Sequence, residues 1–288
     1  MERVRIACVR YLNTVPLIEG LEKLPSVELL PTVPSRIAGM VASGEADVGL
    51  VSLIDAARSE VPLALLPAGM IGCDGPTLTV RLFSAVPLAK VRRLHVDTDS
   101  HTSAALARVL LARLHGVRPD IVDFDARERV PLGGRGNPVG TDPDLDQAWP
   151  ETVLLIGDKV VTDAPPAERY PHQLDLGEAW KGLTGLPFIY AVWMCRADRA
   201  GNPAVAQAAD ILDRQRRRNA LRLGWIAATA AAEHRWPEDL AGRYLGSLLR
   251  FDVGEREREG ARRFLEEAAG LGLVERRELL WADAAPVA

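Results

Sequence analysis

Along roughly the first 85 residues, short apolar runs alternate with segments whose apolar positions recur at helical spacing. Val4–Val9 and Val27–Thr32 read as buried strands. Between them, Asn13-Thr14-Val15-Pro16 has the form of a helix start, with Asn or Thr as cap and Pro in the first turn. Pro34–Ser43 sets Ile37, Met40 and Val41 on one helical face, and Gly44 stops it. Ala46–Val51 is a third strand, running into Ser52 and the short helical stretch Leu53–Arg58. Strands spaced by helices in this rhythm predict a parallel sheet.

A comparable unit begins in mid-chain. Leu94–Asp97 is a strand, Ser100 caps an amphipathic helix over His101–His115, and Gly116 ends it. Ile121–Phe124 and Val153–Ile156 are further strands, separated by a Gly-, Pro- and Asp-rich loop over Pro131–Pro150. Ile189–Trp193 is the last clear strand. Beyond it the pattern is helical: Pro203–Asn219, Ala220–Glu233, Pro237–Leu249 and Glu255–Ala269. The expectation is a hinged α/β clamshell with a helical C-terminal segment. Thr77–Phe83 and Ile189–Trp193 are the expected crossovers. One lobe takes 1–84 plus 196–288, the other is inserted as 85–195, and a ligand cleft lies between them.

Composition narrows the class. The 288 residues carry 35 Lys+Arg against 39 Asp+Glu, a formal charge of −4, which disfavours nucleic acid as a partner. A 48% hydrophobic share with 26% charged residues is that of a globular chain and excludes large-scale disorder. No stretch approaches the ~18 uninterrupted apolar residues of a membrane span. The N-terminus has neither the basic region nor the cleavage site of a secretory signal. Cys8, Cys73 and Cys195 are odd in number and widely spaced, so a reducing cytoplasm is the expected location.

Two places could carry chemistry. Tyr11-Leu12-Asn13-Thr14 and Ser100-His101-Thr102-Ser103 each follow a strand and open a helix, where free N–H groups and the helix dipole favour anions. Facing one another across a cleft, they would suit a small molecule with two carboxylates, although ordinary capping explains either one alone. Thr77-Leu78-Thr79 would set hydroxyls on the cleft floor. Gly157-Asp158-Lys159 directly follows a strand and so falls at the crevice of an α/β sheet, where Asp158 either lines the site or caps a helix. Other signals fail. Gly133–Gly140 does not fit G-x-G-x-x-G, and no P-loop occurs. The five histidines lack metal-ligand spacing, and no nucleophile triad is readable.

Tyr11-Leu12-Asn13-Thr14-Val15-Pro16-Leu17 resembles the Y-L-N-T-x-P-L opening of the menaquinone-biosynthetic chorismate dehydratases of the futalosine pathway. The likeness continues through Gly44–Ser52, the Gly75-Pro76 pair, Ser100–Ser103, Leu155–Lys159, Trp180–Phe188 and Ala191–Trp193, spanning about two-thirds of the chain. The resemblance implies a two-lobed, type II periplasmic-binding-protein-like fold. It also implies loss of water from chorismate to give 3-[(1-carboxyvinyl)oxy]benzoate. Aromatisation drives that reaction, and no cofactor or metal is implied. On the same basis Asn13 is the catalytic amide. Thr79 stands where the family commonly has serine, keeping the hydroxyl and adding a methyl. Tyr11, Leu12, Thr14, Ser52, Gly157 and Asp158 are expected around the substrate, with Ser100, Thr102 and Ser103 as carboxylate binders. His101 replaces the family's arginine, so a fixed charge becomes a titratable one. No proton acceptor is evident, and a carboxylate of the substrate is the working hypothesis. Two other readings stay open: the 1,4-dihydroxy-6-naphthoate synthase of the same pathway, and a non-catalytic binder of small anions. No membrane or nucleic-acid partner is expected, and a homo-oligomer is left open.

Overall fold

The computed structural model describes residues 3–97, 101–125, 130–131 and 149–283. Ser100 and nearly all of the expected Pro131–Pro150 loop lie outside the described residues. The first sheet starts as the sequence predicts. β1 (Val4–Cys8) is flanked in parallel by β2 (Val27–Pro31) and β3 (Val48–Ser52). Helix Pro34–Ser43 buries Ile37, Met40 and Val41 against them. The fit is close enough that a Cβ at Gly49 would stand 2.6 Å from Ile37 Cγ2. Next comes β4 (Leu63–Cys73), an eleven-residue strand that the hydrophobic pattern does not single out.

The second sheet holds β5 (Val80–Ser84), β6 (Arg93–Asp97), β7 (Asp120–Asp125), β8 (Val130–Pro131), β9 (Thr152–Ile156) and β10 (His172–Asp175), in the order β10-β5-β9-β6-β7-β8. The chain then returns to the first sheet. β11 (Phe188–Arg196) lies antiparallel between β3 and β4, while β12 (Leu249–Arg250) and β13 (Leu280–Trp281) add to β4.

Two expectations need correction. Each sheet is mixed rather than parallel. The parallel strands run toward the cleft, whereas β5 and β11 set out from the cleft after the chain has crossed, and so run antiparallel to their neighbours β9 and β3. For the same reason the division at residues 85 and 195 is displaced. Val80–Ser84 pairs within the second sheet and Phe188–Arg196 within the first. The chain changes sheet before β5 and again between β10 and β11.

The C-terminal helices cover the first sheet. Val205, Leu212, Ile226 and Tyr244 share a core with Trp193 and Leu50. The last helix, Glu255–Gly270, instead packs Phe264 on Trp180 and Phe188 and joins Glu267 to Arg113 of the helix His101–His115. The predicted helix over Pro237–Leu249 stops early. After Glu238–Arg243 the backbone widens into a π-turn, Tyr244–Leu248, and then enters β12. Such turns recur at functional sites, and this one brings Tyr244 to the cleft wall. No helix among the described residues is long and apolar enough to cross a membrane.

Candidate active site

The strand ends of both sheets and the crossover segments line a cleft whose open space, solvent at its mouth included, is about 650 Å³. Val9, Leu50, Ile71, Val80, Ile156 and Leu249 make its walls apolar. The polar lining consists of one amide (Asn13), the hydroxyls of Tyr11, Ser52, Thr77, Thr79, Thr102, Ser103, Tyr190 and Tyr244, and the imidazole of His101. No carboxylate, lysine or arginine lines it among the described residues.

Asn13 sits on a 3-10 turn, Leu12–Thr14, between β1 and the short helix Val15–Ile18. Thr14 is fully buried, and its hydroxyl donates to Asn13 Oδ1 at 3.2 Å. Two buried amides of the helix Pro203–Ala220 hold the segment that follows. Asn219 Nδ2 donates to the carbonyls of Pro16 (3.1 Å) and Glu19 (3.0 Å), and Gln215 Nε2 donates to that of Glu19 (2.6 Å).

The crossover Thr77-Leu78-Thr79 is a tight turn, with Thr79 N–H donating to Thr77 O at 2.7 Å. Leu78 has φ 65°, a left-handed backbone that costs a non-glycine residue about 1–3 kcal/mol. Asp175 holds it there. Its carboxylate accepts the N–H groups of Thr77 (3.0 Å) and Leu78 (2.8 Å) on one side. On the other it caps the helix Leu176–Thr184 through Gly177 (3.1 Å) and Glu178 (3.2 Å). The turn aims Thr79 Oγ1 at Tyr244 Oη, 2.6 Å away. Thr77 Oγ1 is buried beside the cleft, near the Tyr190 phenol. Burial pushes the phenols of Tyr244 and Tyr190 well above their ordinary range, so both stay protonated.

Across the cleft stands the fifteen-residue helix His101–His115. Its first turn is tied to the first sheet's side: His101 Nδ1 lies 2.9 Å from the buried Asp55 carboxylate, and Thr102 Oγ1 accepts Ile54 N–H at 3.2 Å. Tyr11 packs its ring near Gly157, whose φ of 66° suits glycine and whose N–H donates to Thr79 O at 2.9 Å.

Of the residues expected at the site, Tyr11, Asn13, Ser52, Thr79, His101, Thr102, Ser103 and Gly157 come together on the cleft wall. Ser100 lies outside the described residues. Leu12, Thr14 and Asp158 are placed differently, behind the wall. The Leu12 side chain belongs to the core of the first sheet, and Thr14 is buried under Asn13. Asp158 faces away from the lining and accepts three donors: His234 Nδ1 (2.9 Å), Trp236 Nε1 (3.1 Å) and Leu12 N–H (3.4 Å). That carboxylate raises the His234 pKa above its ordinary value. The expectation of two facing helix N-termini is also corrected. The end at Tyr11–Thr14 is one 3-10 turn leading into a four-residue helix, and Asp158 already takes the Leu12 N–H.

Three contributors escape sequence reasoning. Tyr190 is hidden in an apolar strand and Tyr244 in a helical pattern. Asp175 was signalled by Asp175-Leu176-Gly177-Glu178, an acidic cap followed three residues later by glutamate. Among the described residues no group of three His, Cys, Asp or Glu side chains is set to hold a metal ion.

Comparison with known proteins agrees with this geometry. A curated chorismate dehydratase of Thermus thermophilus is 31% identical over 276 residues, covering 91% of this chain and 93% of that one. Among solved structures, an Archaeoglobus fulgidus protein superposes with a TM-score of 0.67 at 14% identity, over 94% of this chain and 98% of that one. The alkanesulfonate-binding protein SsuA of Xanthomonas axonopodis pv. citri, bound to MOPS, gives 0.64 at 14% identity, over 97% and 96%. The fold is therefore periplasmic-binding-protein-like, two α/β sheets about a cleft with a helical C-terminal segment. The family model described as menaquinone biosynthesis matches residues 4–270, and the chain belongs to that family.

Proposed function

We propose that the protein is a chorismate dehydratase, a hydro-lyase that converts chorismate to 3-[(1-carboxyvinyl)oxy]benzoate and water in menaquinone biosynthesis. The observation that carries this reading is the character of the cleft. An amide and hydroxyl cluster (Asn13, Thr79, Tyr244) faces the first turn of the helix His101–His115 across apolar walls. The apolar walls fit the ring. His101 and the hydroxyls of Thr102 and Ser103 receive a carboxylate, helped by the helix dipole. Asn13 and Thr79 then point hydrogen-bond donors at the departing ring hydroxyl. Water leaves as that hydroxide plus the proton from the carbon bearing the enolpyruvyl ether, and the ring becomes aromatic.

The proton acceptor in this reading is a carboxylate of the substrate. The four buried or half-buried aspartates around the site are committed elsewhere: Asp55 to His101, Asp97 to Lys159, Asp158 to His234 and Trp236, and Asp175 to the crossover turn. The same reading makes this a cytoplasmic enzyme whose partner is its small-molecule substrate. The test is incubation of chelator-treated protein with chorismate, followed by chromatography and mass measurement. The expected product is aromatic and one water lighter, and Asn13→Ala lowers its rate by about 100- to 1,000-fold, as for loss of one preorganised donor. Unchanged chorismate with folded protein would overturn the assignment.

A further inference from the structure

We propose that Tyr244 is a positioning residue for the reaction: its phenol, delivered by the π-turn, fixes the direction of the Thr79 hydroxyl so that Thr79 presents its proton to the cleft. This rests on the dehydratase reading and deepens it.

Hydrogen-bond polarity runs through a row of groups from Thr14 to Thr79. Thr14 Oγ1–H donates to Asn13 Oδ1, which turns the amide N–H groups of Asn13 outward. The Asn13 side chain is one neighbour of the Tyr244 hydroxyl, and Thr79 Oγ1, at 2.6 Å, is the other. A phenol has a single proton. With amide N–H groups rather than an oxygen presented on the Asn13 side, the phenol directs that proton to Thr79 Oγ1, its partner at 2.6 Å. Thr79 then has an acceptor site filled and its own proton left to donate. With Tyr244 behind it, that proton is directed into the cleft, whose wall both residues line.

What surrounds the phenol makes it a fixed reference. Tyr244 is 1% exposed, and its ring stacks on Trp236 with centroids 4.9 Å apart at 20°. Trp236 Nε1 in turn donates to Asp158, which His234 also holds. Asp158, expected at the substrate, acts on this view one layer further out. A rotor that must be aligned before the hydroxide leaves is thus aligned in advance, which is the general form of electrostatic preorganisation.

The test is a double-mutant cycle in chorismate turnover with Tyr244→Phe, Thr79→Ala and the pair. Phenylalanine keeps the stack on Trp236 and removes only the hydroxyl. The expected result for Tyr244→Phe is a kcat lowered about 10- to 100-fold, with KM and thermal midpoint close to wild type. Because Tyr244 acts through Thr79, the double variant is no slower than Thr79→Ala. Losses that multiply, or a Tyr244→Phe enzyme with wild-type kcat, overturn the inference. Should Tyr244→Phe not fold, fluorinated tyrosine at position 244 makes the phenol more acidic at nearly constant shape. The kcat then changes in the Thr79 enzyme and not in the Thr79→Ala background, and no change, or one that persists without the Thr79 hydroxyl, counts against the proposal. Wild-type turnover in the same series reports on the dehydratase reading separately. Inert wild type sinks both, whereas active wild type with an indifferent Tyr244 variant sinks this inference alone.

Discussion

Replacing Asp175 with alanine tests how the crossover turn is held. Its carboxylate receives four backbone N–H groups, from Thr77, Leu78, Gly177 and Glu178. Leu78 is half-buried and Glu178 exposed, so water can replace the carboxylate at both. Thr77 and Gly177 are buried, and their N–H groups lose their acceptor with no solvent to replace it. At about 1–3 kcal/mol for each buried donor left unsatisfied, the two together come to about 4 kcal/mol. Arg81, 3.5 Å from the same carboxylate and about a quarter exposed, rehydrates and adds little. Asp175→Asn keeps one carbonyl oxygen but turns an amide donor toward the remaining N–H groups, so roughly half that loss is expected. Urea unfolding followed by tryptophan fluorescence measures the stability. Turnover of the folded fraction should fall as well, because the turn that aims Thr79 loses the contact that holds Leu78 at φ 65°. If Asp175→Ala costs less than about 1 kcal/mol, the carboxylate is not what holds the turn and the reasoning is wrong.

Stability should also depend on pH through His234. Its folded pKa is raised by the hydrogen bond to Asp158, so its contribution is complete below the unfolded value of ~6.5 and is lost as pH rises through the folded value. Thermal midpoints scanned upward from pH 6 should therefore fall in wild type and stay flatter in His234→Gln. Equal slopes would show that the pair contributes nothing. Gly157→Ala places a Cβ 3.6 Å from the Tyr11 ring, an ordinary contact, but at φ 66°. The expected cost is the left-handed strain alone, about 1–2 kcal/mol by chemical denaturation, and a loss above ~3 would mean that the cleft has been distorted as well.

What the sequence discloses and what it hides follow from local physics. Strands with a nearly unbroken apolar run, such as β3 and β9, are legible because burial on both faces leaves few polar positions to blur them. β4 is not, because Pro67 and Gly69 interrupt it. Yet Gly69 is required there: at φ 147°, a Cβ would stand 3.1 Å from both Arg216 Cδ and Leu17 Cδ2. Tyr244 was hidden by the limits of periodicity, which reads Pro237–Leu249 as one helix and cannot register the extra residue per turn that rotates the phenol toward Thr79. Asp158 shows the converse error. Its place just past a strand end is that of a crevice residue, and its neighbour Gly157 does line the cleft. One residue further along, the chain has already turned into the short helix Lys159–Thr162, and the carboxylate points back to His234, Trp236 and Leu12. Position along the chain located the cleft. Which side chains enter it was decided by residues distant in sequence, such as Asp175 about a hundred residues beyond the Thr77–Thr79 turn and Tyr244 still further on.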